Sequence, residues 1–220
     1  MSSNAIRIPT LYEELEALPE DVTGEIIAGE LHVSPRPSAQ HSDAGSEAIL
    51  QLRGVFGRGG GDGRPPAWRL LYEPELHLGS DVLVPDLAAW RNERLPDYRA
   101  RKFFPIAADW ICEIMSPSTA LRDRTVKMDA YATHNVLWLW VVDPDLELIE
   151  AYHLKDSQYA RVGAWHGDST AHIPPFESLG LVLARWWGRE PAPPETQTAA
   201  TDTEASEAMA KDGTQGGGDS

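Results

Sequence analysis

A single acidic residue, Glu113, interrupts the apolar segment DWICEIM at residues 109–115. Side chains of an extended strand alternate between two faces, so Glu113 shares its face with Ile111 and Met115. A carboxylate among apolar neighbours is costly to bury unless it is paired, protonated or bound to a cation. Glu113 is therefore a candidate site residue.

A second carboxylate, Asp86, stands in the predicted strand from Asp81 to Trp90, in one row with Val82, Val84 and Ala88. If this strand pairs with the one that carries Glu113, the two carboxylates can converge on one cation. Hard oxygen ligands suit Mg²⁺ or Mn²⁺. Such a metal supplies hydroxide near neutral pH and offsets charge on a phosphate. The alternative is that Asp86 only braces the turn at Pro85.

A cationic side chain that could assist this chemistry is found on the next predicted helix, about Ala120 to Thr133. Position 115, two residues after Glu113, is Met and not Lys, so the strand itself supplies no positive charge. On the helix, however, Lys127 has Asp123 four residues before it and Tyr131 four residues after it, and all three share one helix face. Lys127 can thus supply positive charge and orient the attacking water. The alternative is a solvated Asp123–Lys127 ion pair worth roughly a few tenths of a kcal/mol.

Two further polar residues have simpler interpretations from the sequence alone. Glu25 lies in a predicted hairpin, GEIIAGELHVSP at 24–35, and its neighbouring isoleucines slightly favour a solvated strand position for it. His41 lies in the first turn of a predicted helix at 38–56, where a lone histidine is more often a surface or cap residue than a catalyst.

Other catalytic motifs are absent from the sequence. The seven histidines are scattered without HxH or HExxH spacing, which argues against a zinc enzyme. No GxSxG elbow or GxxxxGK[ST] loop occurs. Cys112 falls in the middle of a predicted strand, and a buried core thiol is its expected role.

The remaining elements can be predicted from caps, turns and alternation. Thr10 and Glu13 fit a capping box, so a short helix should run from Leu11 to near Leu18. The segment RGGGDGRPP at 58–66 is predicted to be a flexible loop. Apolar alternation predicts the strands Trp68 to Leu78 (with Pro74 at an edge or bulge), Leu137 to Val142, Leu146 to Leu154 and Gln158 to Ala164, and a closing apolar segment from Leu179 to Trp187.

Composition divides the 220 residues into a domain at 1–188 and a disordered acidic tail at 189–220. The tail carries a net charge of −5 out of −15, which leaves −10 for the domain. A smooth basic surface for duplex DNA is thus not expected, and one basic cluster is visible in the sequence, at Arg91, Arg94, Arg99, Arg101 and Lys102. A single cysteine and the lack of a signal peptide or membrane span predict a cytoplasmic protein.

Four motifs occur together in this chain: GEIIAGELHVSP, VPDLAAW, ICEIMSPSTALRDRTVKMDAYATHNV and WVVDP. In this combination the chain, over residues 10–185, resembles the Uma2 family of "putative restriction endonucleases" in the PD-(D/E)xK nuclease-like superfamily. The resemblance implies an α/β (α+β) fold with a mixed central β-sheet flanked by helices, plus an added antiparallel hairpin region. It also implies roles for specific residues: Asp86 and Glu113 as metal ligands, Lys127 as a lysine moved from strand to helix, and Glu25 as the N-terminal acid of the family.

The chain departs from the family pattern at two positions. Asn135 replaces a glycine, and Asn can still adopt the left-handed conformation that ends a helix. Trp138 replaces an acidic residue, which alters no proposed metal ligand.

The leading hypothesis is therefore a Mg²⁺- or Mn²⁺-dependent endonuclease that hydrolyses phosphodiester bonds in nucleic acid, with DNA preferred. Asp86 and Glu113 would hold the metal, Lys127 would orient water, and Glu25 would be a supporting carboxylate. The alternatives are a catalytically silent nuclease-fold module that binds nucleic acid or a protein, and a hydrolase of another phosphate ester. A homodimer is expected if both strands of a duplex are cut.

Overall fold

The computed structural model describes residues 9–57, 67–116 and 120–191. The predicted loop at 58–66 and residues 192–220 of the predicted tail at 189–220 lie outside these ranges. In the described ranges no helix is long and apolar enough to cross a membrane.

The described ranges contain more strand than helix, and the strands are short. In chain order they are β1 Val22–Ile27, β2 Glu30–Pro35, β3 Trp68–Tyr72, β4 Leu76–Leu78, β5 Asp81–Leu83, β6 Leu87–Arg91, β7 Trp110–Ile114, β8 Trp138–Asp143, β9 Leu148–Lys155, β10 Gln158–His166, β11 Thr170–Ala171 and β12 Leu181–Val182. The helices are α1 Leu11–Glu16, α2 Ala39–Val55, α3 Ala120–Arg122, α4 Met128–Thr133 and α5 Leu183–Trp186. A π-helical turn, Asp123–Lys127, joins α3 to α4, and a 3-10 turn, Asn92–Arg94, follows β6.

A six-stranded mixed sheet, in the order β10-β9-β8-β7-β6-β3, forms the centre of the molecule. Strands β7 and β8 run parallel and are connected through the α3–α4 helical segment, whereas the other neighbours are antiparallel. A smaller antiparallel sheet has the order β2-β1-β5-β4 and contains the predicted hairpin. The predicted mixed sheet with helices and an added hairpin region is thus confirmed.

The two faces of β7 belong to two different cores, as its alternation predicts. Trp110, Cys112 and Ile114 pack on the face that is covered by α2 and α5. Ile111 and Met115 pack on the opposite face, against the small sheet and α4. Glu113 therefore faces the layer between the large sheet and the small sheet.

Two predicted strands are wrong in their extent, because a proline divides each of them. The strand predicted from Trp68 to Leu78 separates around Pro74 into β3, at the edge of the large sheet, and β4, at the edge of the small sheet. The strand predicted from Asp81 to Trp90 separates at Pro85 into β5 and β6, which also belong to different sheets. Proline has no N–H to donate to a sheet ladder, so the chain changes sheets at these points.

Several local predictions are confirmed. Thr10 and Glu13 form the capping box of α1, although the helix ends at Glu16. Asn135 adopts a left-handed conformation with φ 58° after α4. The predicted helix at 38–56 is present as α2, but the sequence also predicts Val55 on the buried apolar stripe of this helix, and this is wrong because Val55 is 54% exposed.

Candidate active site

A cavity of about 350 Å³ opens where the small sheet, the large sheet and the helical segment meet. The four residues predicted to form a site, Glu25, Asp86, Glu113 and Lys127, all line this cavity. Each comes from a different part of the fold, so the site exists only in the folded chain.

Glu113 and Lys127 form a buried ion pair at the floor of the cavity. The Lys127 Nζ atom lies 2.8 Å from Glu113 Oε1, and each side chain is 4% exposed. The Tyr131 hydroxyl donates a short hydrogen bond to the same Glu113 oxygen. The predicted shared face of Lys127 and Tyr131 is therefore confirmed, and the lysine reaches the strand acid from the helical segment.

Glu25 is a buried member of the site, so its interpretation as a solvated strand residue is wrong. Its Oε1 accepts a hydrogen bond from the backbone N–H of Val84 at 2.9 Å and lies 3.1 Å from Lys127 Nζ. The apolar neighbours Ile26 and Ile27 are also buried, because β1 lies between β2 and β5 and is covered on both faces. Lys127 thus lies between two carboxylates from different sheets.

Asp86 is brought to the site by the pairing of β6 with β7. Leu87 is opposite Cys112, so Asp86 just before Leu87 and Glu113 just after Cys112 lie at the same end of the strand pair. The Oδ2 atom of Asp86 accepts a 2.6 Å hydrogen bond from the backbone N–H of Ile114. The carboxylate thus bonds to the neighbouring strand and does not brace the turn at Pro85.

His41 is a site residue that the sequence interpretation missed. Its side chain is 8% exposed, and its Nε2 lies 3.1 Å from Asp86 Oδ1. Ser38, not His41, is the N-cap of α2, since the Ser38 hydroxyl accepts a hydrogen bond from the His41 N–H. The interpretation of His41 as a surface or cap residue is therefore wrong, although its position in the first turn of α2 was correct.

Arg122 also lines the cavity and had no signal in the sequence. Its Nη2 donates a 2.6 Å hydrogen bond to the Ser34 hydroxyl and lies 3.7 Å from Glu25 Oε2. Arg122 is five residues before Lys127, a spacing that a regular α-helix does not place on one face. The π-helical turn between them widens the helix at this point and presents both cations to the cavity.

Asp123 is buried beside Lys127, so the alternative of a solvated ion pair is wrong. Asp123 and Lys127 are both buried, and both line the cavity. The wide turn keeps them near the same side of the helical segment despite its departure from α-helical geometry.

Negative charge exceeds positive charge in this site, and this excess contributes to the raised pKa values of Glu113, Lys127 and Tyr131. Burial raises the pKa of Glu113 well above its usual value; Lys127 opposes this increase, whereas the other carboxylates add to it. Burial alone would lower the pKa of Lys127, but the charges of Glu113 and Glu25 raise it, so the ammonium stays protonated. The pKa of Tyr131 is also raised by burial and by Glu113, which keeps its hydroxyl a donor. The carboxylates concerned are Glu25, Asp86, Glu113 and Asp123.

The donor set fits a hard divalent cation that keeps part of its water shell. Over the described ranges, no three His, Cys, Asp or Glu side chains form a complete metal-binding group. Mg²⁺ commonly uses only one or two carboxylates and completes its octahedron with waters and substrate phosphates. Asp86 and Glu113 supply two carboxylates, and the excess negative charge around Glu113 favours a cation there.

Cys112 takes no part in the site. Its side chain is fully buried in the core between the large sheet and α2, and burial raises the pKa of its thiol. This confirms the expected core thiol.

Comparisons with known proteins agree with this architecture. Residues 10–185 match the family Uma2, described as "Putative restriction endonuclease". A solved structure from Anabaena variabilis ATCC 29413, described as "a putative nuclease belonging to DUF820", is similar with a TM-score of 0.66 and 24% sequence identity. The match covers 82% of this chain and 98% of the Anabaena chain, and at this identity it supports the fold alone. No curated protein matches this chain. Because the family match spans most of the sequence and includes every site residue described above, the chain belongs to the Uma2 family.

Proposed function

We propose that this protein is a divalent-metal-dependent nuclease that hydrolyses phosphodiester bonds in nucleic acid, with DNA as the preferred substrate. The observation that carries the proposal is the convergence of Asp86, Glu113 and Lys127 on one open cavity from three separate elements. Two carboxylates beside a permanently charged lysine are the groups that phosphodiester hydrolysis needs. The family match supports a nuclease in particular.

Asp86 and Glu113 would hold Mg²⁺ or Mn²⁺. When bound, the metal would lower the pKa of a water molecule and offset the negative charge that builds on the phosphate. The hydrogen bond from the Ile114 N–H and the contact with His41 orient the Asp86 carboxylate. Tyr131 and Lys127 both bind one oxygen of Glu113 and so fix its orientation.

Lys127 would act on the water and the phosphate, and Glu25 would support Lys127. The Lys127 ammonium, held between Glu25 and Glu113, keeps a positive charge at the cavity floor without free rotation. A preorganised charge in a buried site stabilises a transition state more than a mobile one in water. Glu25 keeps Lys127 in this position through the 3.1 Å contact and would serve as a supporting carboxylate.

Nicking of supercoiled plasmid tests the proposal. Wild-type protein should convert plasmid to the open circle with Mg²⁺ or Mn²⁺ and not with EDTA. Glu113→Gln, which keeps the size of the side chain, should lower the rate at least about 100-fold. A Glu113→Gln variant that nicks at the wild-type rate would overturn the proposal. A labelled RNA of the same sequence, assayed in parallel, tests the preference for DNA.

One observation favours a second candidate function, a catalytically silent nuclease-fold module that binds nucleic acid or a protein. Lys127 already has two carboxylate partners, so its charge is largely neutralised inside the site. Such a module would bind its partner equally well with and without divalent metal and would release no product. Metal-dependent turnover in the plasmid assay would exclude it.

A homodimer would allow two such cavities to cut both strands of a duplex. Sedimentation equilibrium should then give twice the chain mass of 24.2 kDa. A mass of one chain at the concentration of the nicking assay would contradict this part of the proposal.

A further inference from the structure

Two arginines, Arg69 on β3 and Arg99 next to Tyr98 in the chain, lie against the Tyr98 ring on the surface of the protein. The Arg69 guanidinium lies 5.0 Å from the centre of the Tyr98 ring, and that of Arg99 lies 5.9 Å from it. The pKa of Tyr98 is lowered, chiefly by the Arg99 side chain, with smaller effects from the positive charges of Arg69 and Arg53. Arg53, near the end of α2, thus also contributes positive potential here. We call these four residues the Tyr98 cluster.

Carboxylates of the described part of the chain do not neutralise the arginines of this cluster, whereas they do neutralise five other arginines. Within the described part of the chain, no carboxylate forms an ion pair with Arg53, Arg69 or Arg99. Ion pairs neutralise arginines elsewhere: Arg94 with Asp109, Arg122 with Glu25, Arg124 and Arg161 with Glu150, and Arg189 with Glu147 and Asp168. In a chain of net charge −15, unpaired cations gathered in one place create a local positive potential.

The structure neutralises one residue of the predicted basic cluster and adds others to it. Arg94 is paired with Asp109, whereas the remaining members of the predicted cluster are exposed: Arg91, Arg99, Arg101 and Lys102. The fold brings Arg69 from a distant part of the sequence to the Tyr98 ring beside Arg99, and the charge of Arg53 also acts on Tyr98. The local basic surface is therefore different from the one visible in the sequence.

The Tyr98 cluster lies along the edge of the large sheet that leads to the cavity. Arg69 is on β3, the edge strand, and Tyr72 at the end of β3 is opposite Leu87, the residue after Asp86. Three residues of strand separate Arg69 from Tyr72, a length of roughly 10 Å. Phosphates of one strand of duplex DNA repeat about every 3.4 Å along the axis, so roughly three nucleotides would span this distance.

We propose that the Tyr98 cluster is a docking surface for the phosphate backbone of the nucleic acid whose scissile bond enters the cavity. The inference rests on the proposed function for the identity of the ligand. Cation–π contacts with Tyr98 hold Arg69 and Arg99 in place, which lowers the entropy cost of binding a phosphate. The surface contacts phosphates and so carries no base specificity.

Fluorescence anisotropy with a labelled DNA duplex and its single strand tests this surface. Binding is measured in EDTA, so that cleavage cannot interfere, over a series of salt concentrations. Arg69→Gln and Arg99→Gln should each weaken binding about fivefold to tenfold at about 0.1 M salt and reduce the slope of log K against log salt by about one. Lys155→Gln is the matched control, since it removes one exposed charge at the β9–β10 hairpin, on the opposite side of the sheet.

The possible results distinguish a failure of the docking surface from a failure of the proposed nuclease activity. Weaker binding by the arginine variants with normal thermal unfolding supports the docking surface, whether or not the wild type cleaves. If both arginine variants bind DNA with the affinity and the salt dependence of the wild type, the docking surface is overturned, even if the wild type cleaves. A wild-type protein that binds neither duplex nor single strand in EDTA would also overturn it. Loss of cleavage in Glu113→Gln with unchanged affinity would leave the docking surface supported and assign the chemistry to the cavity.

Discussion

The ammonium of Lys127 lies 2.8 Å from Glu113, yet it reaches this acid from the helical segment that follows β7 and not from β7 itself. The strand position two residues after Glu113 is occupied by Met115, which is buried in the core. Because the lysine enters from the helix, it can lie between Glu113 on the large sheet and Glu25 on the small sheet. One cation thus connects the two sheets and the helical segment.

Replacement of Lys127 should destabilise the fold as well as remove activity. Lys127→Met leaves Glu25 and Glu113 buried without their shared cation, which should cost about 3–5 kcal/mol of unfolding free energy. Urea unfolding at pH 7 measures this. Lys155→Met, at an exposed hairpin position, is the control and should cost less than about 0.5 kcal/mol. Equal stabilities of the two variants would show that the buried network does not hold the elements together.

Glu25 and Lys127 should be energetically coupled. In a double-mutant cycle with Glu25→Gln and Lys127→Met, the double variant should be more stable than the sum of the single effects predicts, by about 1–3 kcal/mol. The physical reason is that each single change leaves a buried charge with one partner fewer. Additive effects would contradict the direct contact at 3.1 Å.

Much of this site could be predicted from residue types and spacing. The alternation around Glu113 correctly predicted that Glu113 lies on the same strand face as Ile111 and Met115. The i, i+4 spacing correctly predicted that Lys127 and Tyr131 lie on the same helix face, from which both contact Glu113. Neither pattern depends on distant parts of the chain, which is why both could be read from the sequence.

The burial of Glu25 and His41 could not be predicted, because it depends on packing between distant elements. Glu25 is covered when β1 pairs with both β2 and β5, and the second pairing joins segments far apart in the sequence. His41 contacts Asp86 only because α2 packs on β7. The change of sheets at Pro74 and Pro85 was signalled by the prolines, but hydrophobic alternation on both sides concealed it.

His41 should act as a positioning residue for Asp86. His41→Ala removes the 3.1 Å contact with Asp86 and should raise the dissociation constant for Mn²⁺ about tenfold, since partners that orient metal ligands typically contribute this much. Calorimetric titration measures the change. His166→Ala, which alters an exposed histidine at the end of β10, is the control and should bind Mn²⁺ like the wild type. An unchanged constant in His41→Ala would contradict the positioning role.

Glu150 should contribute to the acid sensitivity of the fold. Burial would raise its pKa, but the hydrogen bonds from Arg124 and Arg161 outweigh burial and hold the pKa below its ordinary value. A lowered pKa in the folded state gives stability that is present above the unfolded value of about 4.3 and is lost as pH falls through the folded value. Unfolding free energies of wild type and Glu150→Gln should therefore converge as the pH falls from about 5 to below the unfolded pKa of about 4.3. A constant difference over this range would contradict the ion-pair contribution.

The central claim is that Asp86 and Glu113 together bind a divalent metal, and calorimetric titration of Mn²⁺ into wild type, Asp86→Asn and Glu113→Gln tests it most directly. Thermal unfolding of each variant, recorded beforehand, establishes that the protein is folded. We predict saturable binding by the wild type and at least a hundredfold loss of affinity, about 2.7 kcal/mol, in each variant. Wild-type affinity in either folded variant, or no binding by the wild type, would contradict the claim.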